Sequence, residues 1–433
     1  MTTGDRNTVE AVREVAASVD DGTGVATWAR RAGIAGAAVG LVAASVAVDR
    51  LTVQRGMRRK ARLALDAAGP YGTLRGTPGT VLADDGTELY YEVDEPTASP
   101  TEDDGDEAVE APVPGDGAGG PTVPKVRLRE AVRVPRRRLL GLLPSRSGEP
   151  PPTVVFCHGY CLNQDSWHFQ RAAFRGAIRT VFWDQRGHGR SGRGVPGKPV
   201  HFDQLGRDLK AVLDAAVPEG PVVLVGHSMG GMTVMALAAQ YPELVTERVR
   251  GVALLATSAG DLGNLSYGLP AAGARAAQRL LPGMLRAMAA QSDLVERGRR
   301  ATADLFAHVV RRYSFGGGAE VDPGVARFAE RLLESVPIDV VADFYPGFVT
   351  HERAEALARF ADRPSVVLCG DRDLVTPLEH SERIASALPG AELVVAEGAG
   401  HLLLLEQPGL VNDQLARLLE RTLPPRRKAT RRR

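Results

Sequence analysis

Residues 221–231 read PVVLVGHSMGG, and this run constrains the fold more than any other part of the chain. Residues 221–225 suit a buried strand, Gly226-His227-Ser228-Met229-Gly230 is a G-x-S-x-G, and an apolar helical pattern follows. In this strand–turn–helix setting the turn is so sharp that Ser228 is expected in a strained backbone conformation. Its hydroxyl then projects from the top of a sheet. Glycine is needed at 226 and 230 because side chains there would collide across the turn. A chain with 48 glycines can produce such a pattern by chance. The weight therefore comes from the flanking strand and helix, and from partners farther along the sequence.

Strand-like runs at 153–157, 180–183, 222–225, 251–255, 365–369 and 392–395 alternate with helical stretches such as 203–216 and 232–240. This alternation predicts an α/β class, with a mostly parallel sheet flanked by helices. Ahead of it, 80–83 and 88–93 read as strands around the hairpin signal Asp84-Asp85-Gly86. About a hundred residues between Leu255 and Ser365 leave the pattern and read as amphipathic helices at 271–281, 292–313, 323–335 and 351–360. Pro270, Pro282, Pro323, Pro337 and Pro346 punctuate them. An excursion here covers the carboxyl ends of the strands, where such sheets place their sites. Residues 261–362 are therefore assigned as a helical cap, between a first core part (79–93 and 150–260) and a second (363–423).

The 433 residues suffice for a full core with a cap, a tail and a linker. With 53 basic and 52 acidic residues, net charge says nothing about partners, but its distribution does. Residues 1–30 are a polar, mixed-charge segment. Within 31–62, residues 32–48 carry no charge, and Arg50, Arg55, Arg58, Arg59, Lys60 and Arg62 follow. This reads as a membrane-anchor helix, with the catalytic region cytoplasmic by the positive-inside bias, as an Ala-rich helix packed on the core, or as an unstructured leader. Residues 94–149 are expected to be a disordered insertion, acidic and Pro/Gly-rich to 124 and basic after it. The tail 424–433, with Arg426, Arg427, Lys428, Arg431, Arg432 and Arg433, is suited to anionic lipid or simply to solvent, and no nucleic acid is expected. Cys157, Cys161 and Cys369 are odd in number and lie in or beside apolar runs, so they read as free thiols; no Cys/His spacing matches zinc.

A serine hydroxyl is a poor nucleophile until a histidine takes its proton, and that histidine needs an anionic group to fix its tautomer. Both follow Ser228 in order: G-D-x-D-x-x-x-P at 370–377 and G-x-G-H at 398–401 each follow an apolar strand. Asp373 and Asp371 both end the first of these strands, and His401 ends the second. Upstream, His158-Gly159-Tyr160 follows a strand, where a backbone N–H is placed to face a developing oxyanion.

Together with D-x-R-G-x-G-x-S at 184–191 and E-x-P at 406–408, these motifs resemble the α/β-hydrolase-fold serine hydrolases over roughly residues 79–423. The resemblance implies Ser228 as nucleophile, His401 as general base and acid, and Asp373 as the orienting carboxylate. It implies an oxyanion hole from the N–H groups of Tyr160 and Met229, an acyl-enzyme hydrolysed by water, and no metal or cofactor. Asp371, His158, His227, Asp184, Arg186, His188 and Glu406 are then loop-shaping residues. Serine at the elbow argues against the epoxide hydrolases and haloalkane dehalogenases, which carry aspartate there. The form G-H-S-M-G-G is similar to that of monoacylglycerol lipases and haloperoxidase-like esterases alike. The expected reaction is cleavage of a small-molecule ester or lipid with a hydrophobic acyl chain. Acyl transfer and the cofactor-free haloperoxidase or perhydrolase reaction use the same triad, and a non-catalytic binding module is the rival of another class. Leu280, Leu281, Met284, Leu285, Met288, Leu305, Phe306 and Val309 recur at helical spacing and read as cap core or, less simply, as the lining of an acyl pocket.

Overall fold

Runs such as TVVFC and VVLVGH have no polar face to give to water, so they demand cover on both sides. In the computed structural model, residues 71–97, 150–195, 197–262, 271–292, 310–317 and 321–423 are described. They contain one sheet of eight strands in the order β1-β2-β4-β3-β5-β6-β7-β8. The strands are β1 (Thr77–Leu82), β2 (Glu88–Asp94), β3 (Thr153–Cys157), β4 (Thr180–Trp183), β5 (Val222–His227), β6 (Val249–Leu255), β7 (Ser365–Gly370) and β8 (Glu392–Ala396). The hairpin β1–β2 joins β4 in antiparallel fashion, and every later pairing is parallel.

Alternate strand residues serve opposite faces, as the pleat requires. Val154, Phe156, Phe182, Val223 and Val225 pack with α1 (His168–Phe174) and with α10 (Pro408–Thr422), through Phe169, Phe174, Leu415 and Leu419. Val155, Cys157, Val181, Leu224 and Val252 face the other way. They pack against α2 (Phe202–Ala216), α3 (Met229–Gln240) and α8 (Leu378–Ala387), through Leu209, Val212, Val234, Leu237 and Ile384. The short helices α4 (Pro242–Arg248) and α9 (Leu403–Glu406) complete the layers.

Beyond β6 lie α5 (Ala271–Ala289), α6 (Pro323–Glu334) and α7 (Ile338–Val349). Two expectations fail here. Pro282 and Pro346 do not break helices but lie inside α5 and α7. A proline removes one N–H from the helical ladder. In α7 nearby carbonyls take donors from outside the helix: Val341 from the Tyr160 hydroxyl and Asp343 from the Val200 N–H. In α5 the face bearing buried Leu285 packs on α7, and tertiary packing carries the helix past Pro282. The helix expected over 351–360 is instead a 3₁₀ segment, Ala354–Phe360, which begins only after Arg353, whose N–H donates to Ala259 O. Most of the helix expected over 292–313 lies outside the described residues, as do the run 32–48, nearly all of the insertion 94–149 and the tail 424–433. Among the described residues no helix is long and apolar enough to cross a membrane.

Candidate active site

The chain leaves β5 through His227 and enters α3 at Met229, so Ser228 alone makes the turn, at φ 52° and ψ −120°. A side chain there is strained, and the surroundings must hold it. They do so by hydrogen bonds: Ser228 N–H donates to Leu255 O (2.9 Å), and the Ser228 carbonyl accepts the Thr257 hydroxyl (2.7 Å) and Gly231 N–H (2.9 Å). A Cβ on Gly226 would stand 2.5 Å from Gly231 N, and one on Gly230 would stand 2.0 Å from the Cys157 carbonyl oxygen. The second obstacle is main chain of a central strand and cannot swing aside. Gly230→Ala is therefore expected to destabilise the protein by about 3 kcal/mol, read as a lowered urea midpoint; an unchanged midpoint would show that the elbow yields.

Asp373 follows β7 and is buried, at 4% exposure. Its Oδ1 accepts the N–H groups of Val375 (2.8 Å) and Thr376 (2.9 Å), and its Oδ2 accepts the Thr376 hydroxyl (2.8 Å). The same Oδ2 lies 2.8 Å from His401 Nδ1, and His401 Nε2 lies 2.9 Å from Ser228 Oγ. Ser228 and His401 are 6% and 9% exposed, so the three groups form a continuous chain largely shielded from bulk water. Burial alone would raise the Asp373 carboxyl. The adjacent His401, the hydrogen bond to it and those from Thr376 outweigh burial and hold the carboxyl below the usual range. Asp371 is elsewhere: exposed, it accepts Gly398 N–H (2.7 Å) and closes the His401 loop from below.

That loop fits because Gly370 ends β7; a Cβ there would meet Ala399 O at 2.2 Å. Glu406 accepts Gly400 N–H (2.8 Å) and the N–H of Gly316, and His227 Nε2–H donates to the His401 carbonyl (2.9 Å). The neighbour of Ser228 thus fixes the main chain of His401. Gly159 passes so close that a Cβ would lie 2.7 Å from His227 Nδ1 and 3.2 Å from Ser228 Cβ, which brings the 158–160 loop against the elbow. His158 holds this loop by donating from Nδ1 to Gly159 O (2.8 Å) and accepting Gln185 N–H (2.9 Å) at Nε2. His188 does the same with Arg186 O and Cys161 N–H, while buried Arg186 pairs with Asp208 and Asp85. Asp184 accepts the N–H groups of Gln164 and Arg190.

Two features escaped the sequence. Thr376 bonds both Asp373 and His401, and the pattern Asp373-x-x-Thr376 ahead of the α8 start was the available signal. The Tyr160 hydroxyl bonds the Val341 carbonyl of α7, a link across 181 positions with no local signal. Of the apolar stripe, Leu285 is buried, but Leu280 and Met284 are 70% and 53% exposed and so lie outside the core; Leu305, Phe306 and Val309 lie outside the described residues.

A sequence model of the family described as alpha/beta hydrolase fold matches residues 152–408. Among characterised relatives, the chain is 26% identical over 280 residues to 3-oxoadipate enol-lactonase 2 of Acinetobacter baylyi, covering 62% of this chain and 89% of that protein. It is 29% identical over 259 residues to the monoacylglycerol lipase of Mycolicibacterium smegmatis, covering 55% and 77%. A thermophilic esterase from Thermogutta terrifontis superposes with a TM-score of 0.52 at 21% identity, covering 80% of this chain and 98% of the other, a likeness of fold. With the doubly covered parallel sheet and the serine elbow after its central strand, the match over 152–408 decides the matter: the chain belongs to the α/β hydrolase fold family.

Proposed function

We propose that the protein is a serine hydrolase that cleaves carboxylic esters through an acyl-enzyme intermediate. The observation that carries this reading is the hydrogen-bonded chain Ser228 Oγ–His401 Nε2 (2.9 Å) and His401 Nδ1–Asp373 Oδ2 (2.8 Å) at a strained elbow. As Ser228 Oγ attacks the ester carbonyl, its proton passes to His401 Nε2. Asp373 keeps the Nδ1 proton in place and stabilises the imidazolium. The carbonyl oxygen, now an oxyanion, takes hydrogen bonds from the N–H groups of Met229, at the start of α3, and of Tyr160. His401 then protonates the departing alkoxide, and water, deprotonated by the same nitrogen, releases the acid.

A hydrophobic acyl group suits the surroundings: Met229 and Met232 cluster with Leu262, Val340 and Phe344, and Tyr160 packs against that cluster. The names of the relatives, a lactonase and a lipase, agree with ester chemistry. The test is hydrolysis of p-nitrophenyl esters of increasing acyl length together with fluorophosphonate labelling. Turnover and a label on Ser228, both lost in a folded Ser228→Ala variant, are the expected result. If no ester turns over and no label reaches Ser228, the reading fails.

A further inference from the structure

Helix α5 presents a face that nothing described in the protein covers. Arg279, Leu280, Gly283, Met284, Arg286 and Ala287 are all exposed, and at 3.6 residues per turn they share one side of the helix. A Cβ on Gly283 would meet nothing within 4 Å, so the strip stands in open space. The opposite side, with Leu281 half-buried and Leu285 buried, packs toward α7, which in turn is tied to Tyr160 by the Val341 carbonyl. Leu280 and Met284 are therefore large apolar side chains held outward.

Charge selects the occupant. Between Asp261 and Asp293 the chain carries Arg275, Arg279 and Arg286 and no carboxylate side chain. Neither Arg279 nor Arg286 is paired with a carboxylate of the described residues. The two arginines border one edge of the Leu280–Met284 strip, one turn above and one below Gly283. An apolar strip edged by guanidinium groups that no described carboxylate pairs suits a surface that offers hydrocarbon beneath a layer of negative charge. We propose that α5 docks on an anionic lipid surface, with Leu280 and Met284 inserted and Arg279 and Arg286 at the headgroups.

The test is cosedimentation of the full chain with vesicles of equimolar phosphatidylglycerol and phosphatidylcholine, beside vesicles of phosphatidylcholine alone. Binding to the anionic vesicles, weaker to the neutral ones and weakened by salt, is expected. Leu280→Asp with Met284→Asp should lower that binding roughly tenfold or more, through lost insertion. Arg279→Glu with Arg286→Glu should lower it by at least about fivefold per arginine. Hydrolysis of a water-soluble p-nitrophenyl ester and the melting transition should stay at wild-type level in both variants. Equal vesicle binding by wild type and both variants would overturn the proposal, because another part of the chain would then carry the contact. A wild-type dimer that the variants convert to monomer would assign the strip to a second copy. Loss of soluble-ester hydrolysis in both variants would assign it to the substrate pocket. Vesicle binding is read without turnover, so this result stands apart from the fate of the serine hydrolase reading.

Discussion

Asp373→Asn is expected to lower kcat for ester hydrolysis about ten-thousand-fold while KM moves only a few-fold. The reason is the set of donors around the carboxylate. Oδ1 accepts two main-chain N–H groups, from Val375 and Thr376, so an asparagine keeps its carbonyl there. Its NH₂ must then occupy the Oδ2 position, facing His401 Nδ1. An NH₂ can only donate, so Nδ1 becomes the acceptor and the imidazole proton moves to Nε2. Nε2 then offers a proton to Ser228 Oγ instead of taking one. The control is Asp371→Asn: that carboxylate bonds Gly398 N–H and touches neither His401 nor Ser228, so kcat should fall far less. Equal effects at 371 and 373, measured with a p-nitrophenyl ester at saturation, would remove Asp373 from its proposed place.

Stability is expected to collapse on mild acidification, well before the carboxylates titrate. His158, His188, His227 and His351 are 0%, 1%, 0% and 2% exposed. Burial pushes them down from the ordinary 6.5 to about 4, about 3, about 3 and about 4 respectively. The hydrogen bonds agree for two of them. His158 and His188 each donate from Nδ1 and accept a backbone N–H at Nε2, so protonation would set two donors against each other. Unfolding frees each ring to titrate near 6.5, so between that value and 3–4 the unfolded chain binds more protons than the folded one. Stability therefore rises with pH across this window and is lost as pH falls through it. Each histidine contributes about 1.4 kcal/mol per pH unit, and four together about 5.5 kcal/mol per unit, comparable with the whole stability of a typical domain. Urea midpoints measured from about pH 7.5 down to about pH 5.5 should drop steeply. A flat profile over that range would mean that these rings charge within the fold.

The parts of the site that could be read in sequence are those where one short segment carries both the side chain and the backbone geometry it needs. Ser228 is framed by Gly226 and Gly230, whose hydrogens are all the elbow can accommodate; Gly370 and Gly400 mark the close approach of the loop bearing His401, and Gly398 turns that loop at φ 73°. The strands were legible for a related reason, because burial on both faces leaves uninterrupted runs such as TVVFC. Helix α7 is hidden because Pro346 reads as a stop, and the contacts that tie the helix down are remote: Val200 N–H and the Tyr160 hydroxyl bond the carbonyls of Asp343 and Val341. The outward face of Leu280 and Met284 is hidden from the sequence for the converse reason. Helical spacing identifies a stripe of apolar residues but not which of two adjacent stripes meets the core.

Tyr160 joins two properties that many catalysts vary separately. Its main chain lies in the loop beside the elbow, while its ring clusters with Phe344 and Phe348 and its hydroxyl holds the α7 carbonyl at Val341. Any change that shifts α7 to admit a bulkier molecule pulls on the same residue whose amide, in the proposed mechanism, faces the reacting oxygen. On the proposed reading, breadth of substrate and speed of turnover are thus coupled through one residue. Variants selected for either are expected to carry a change in the other.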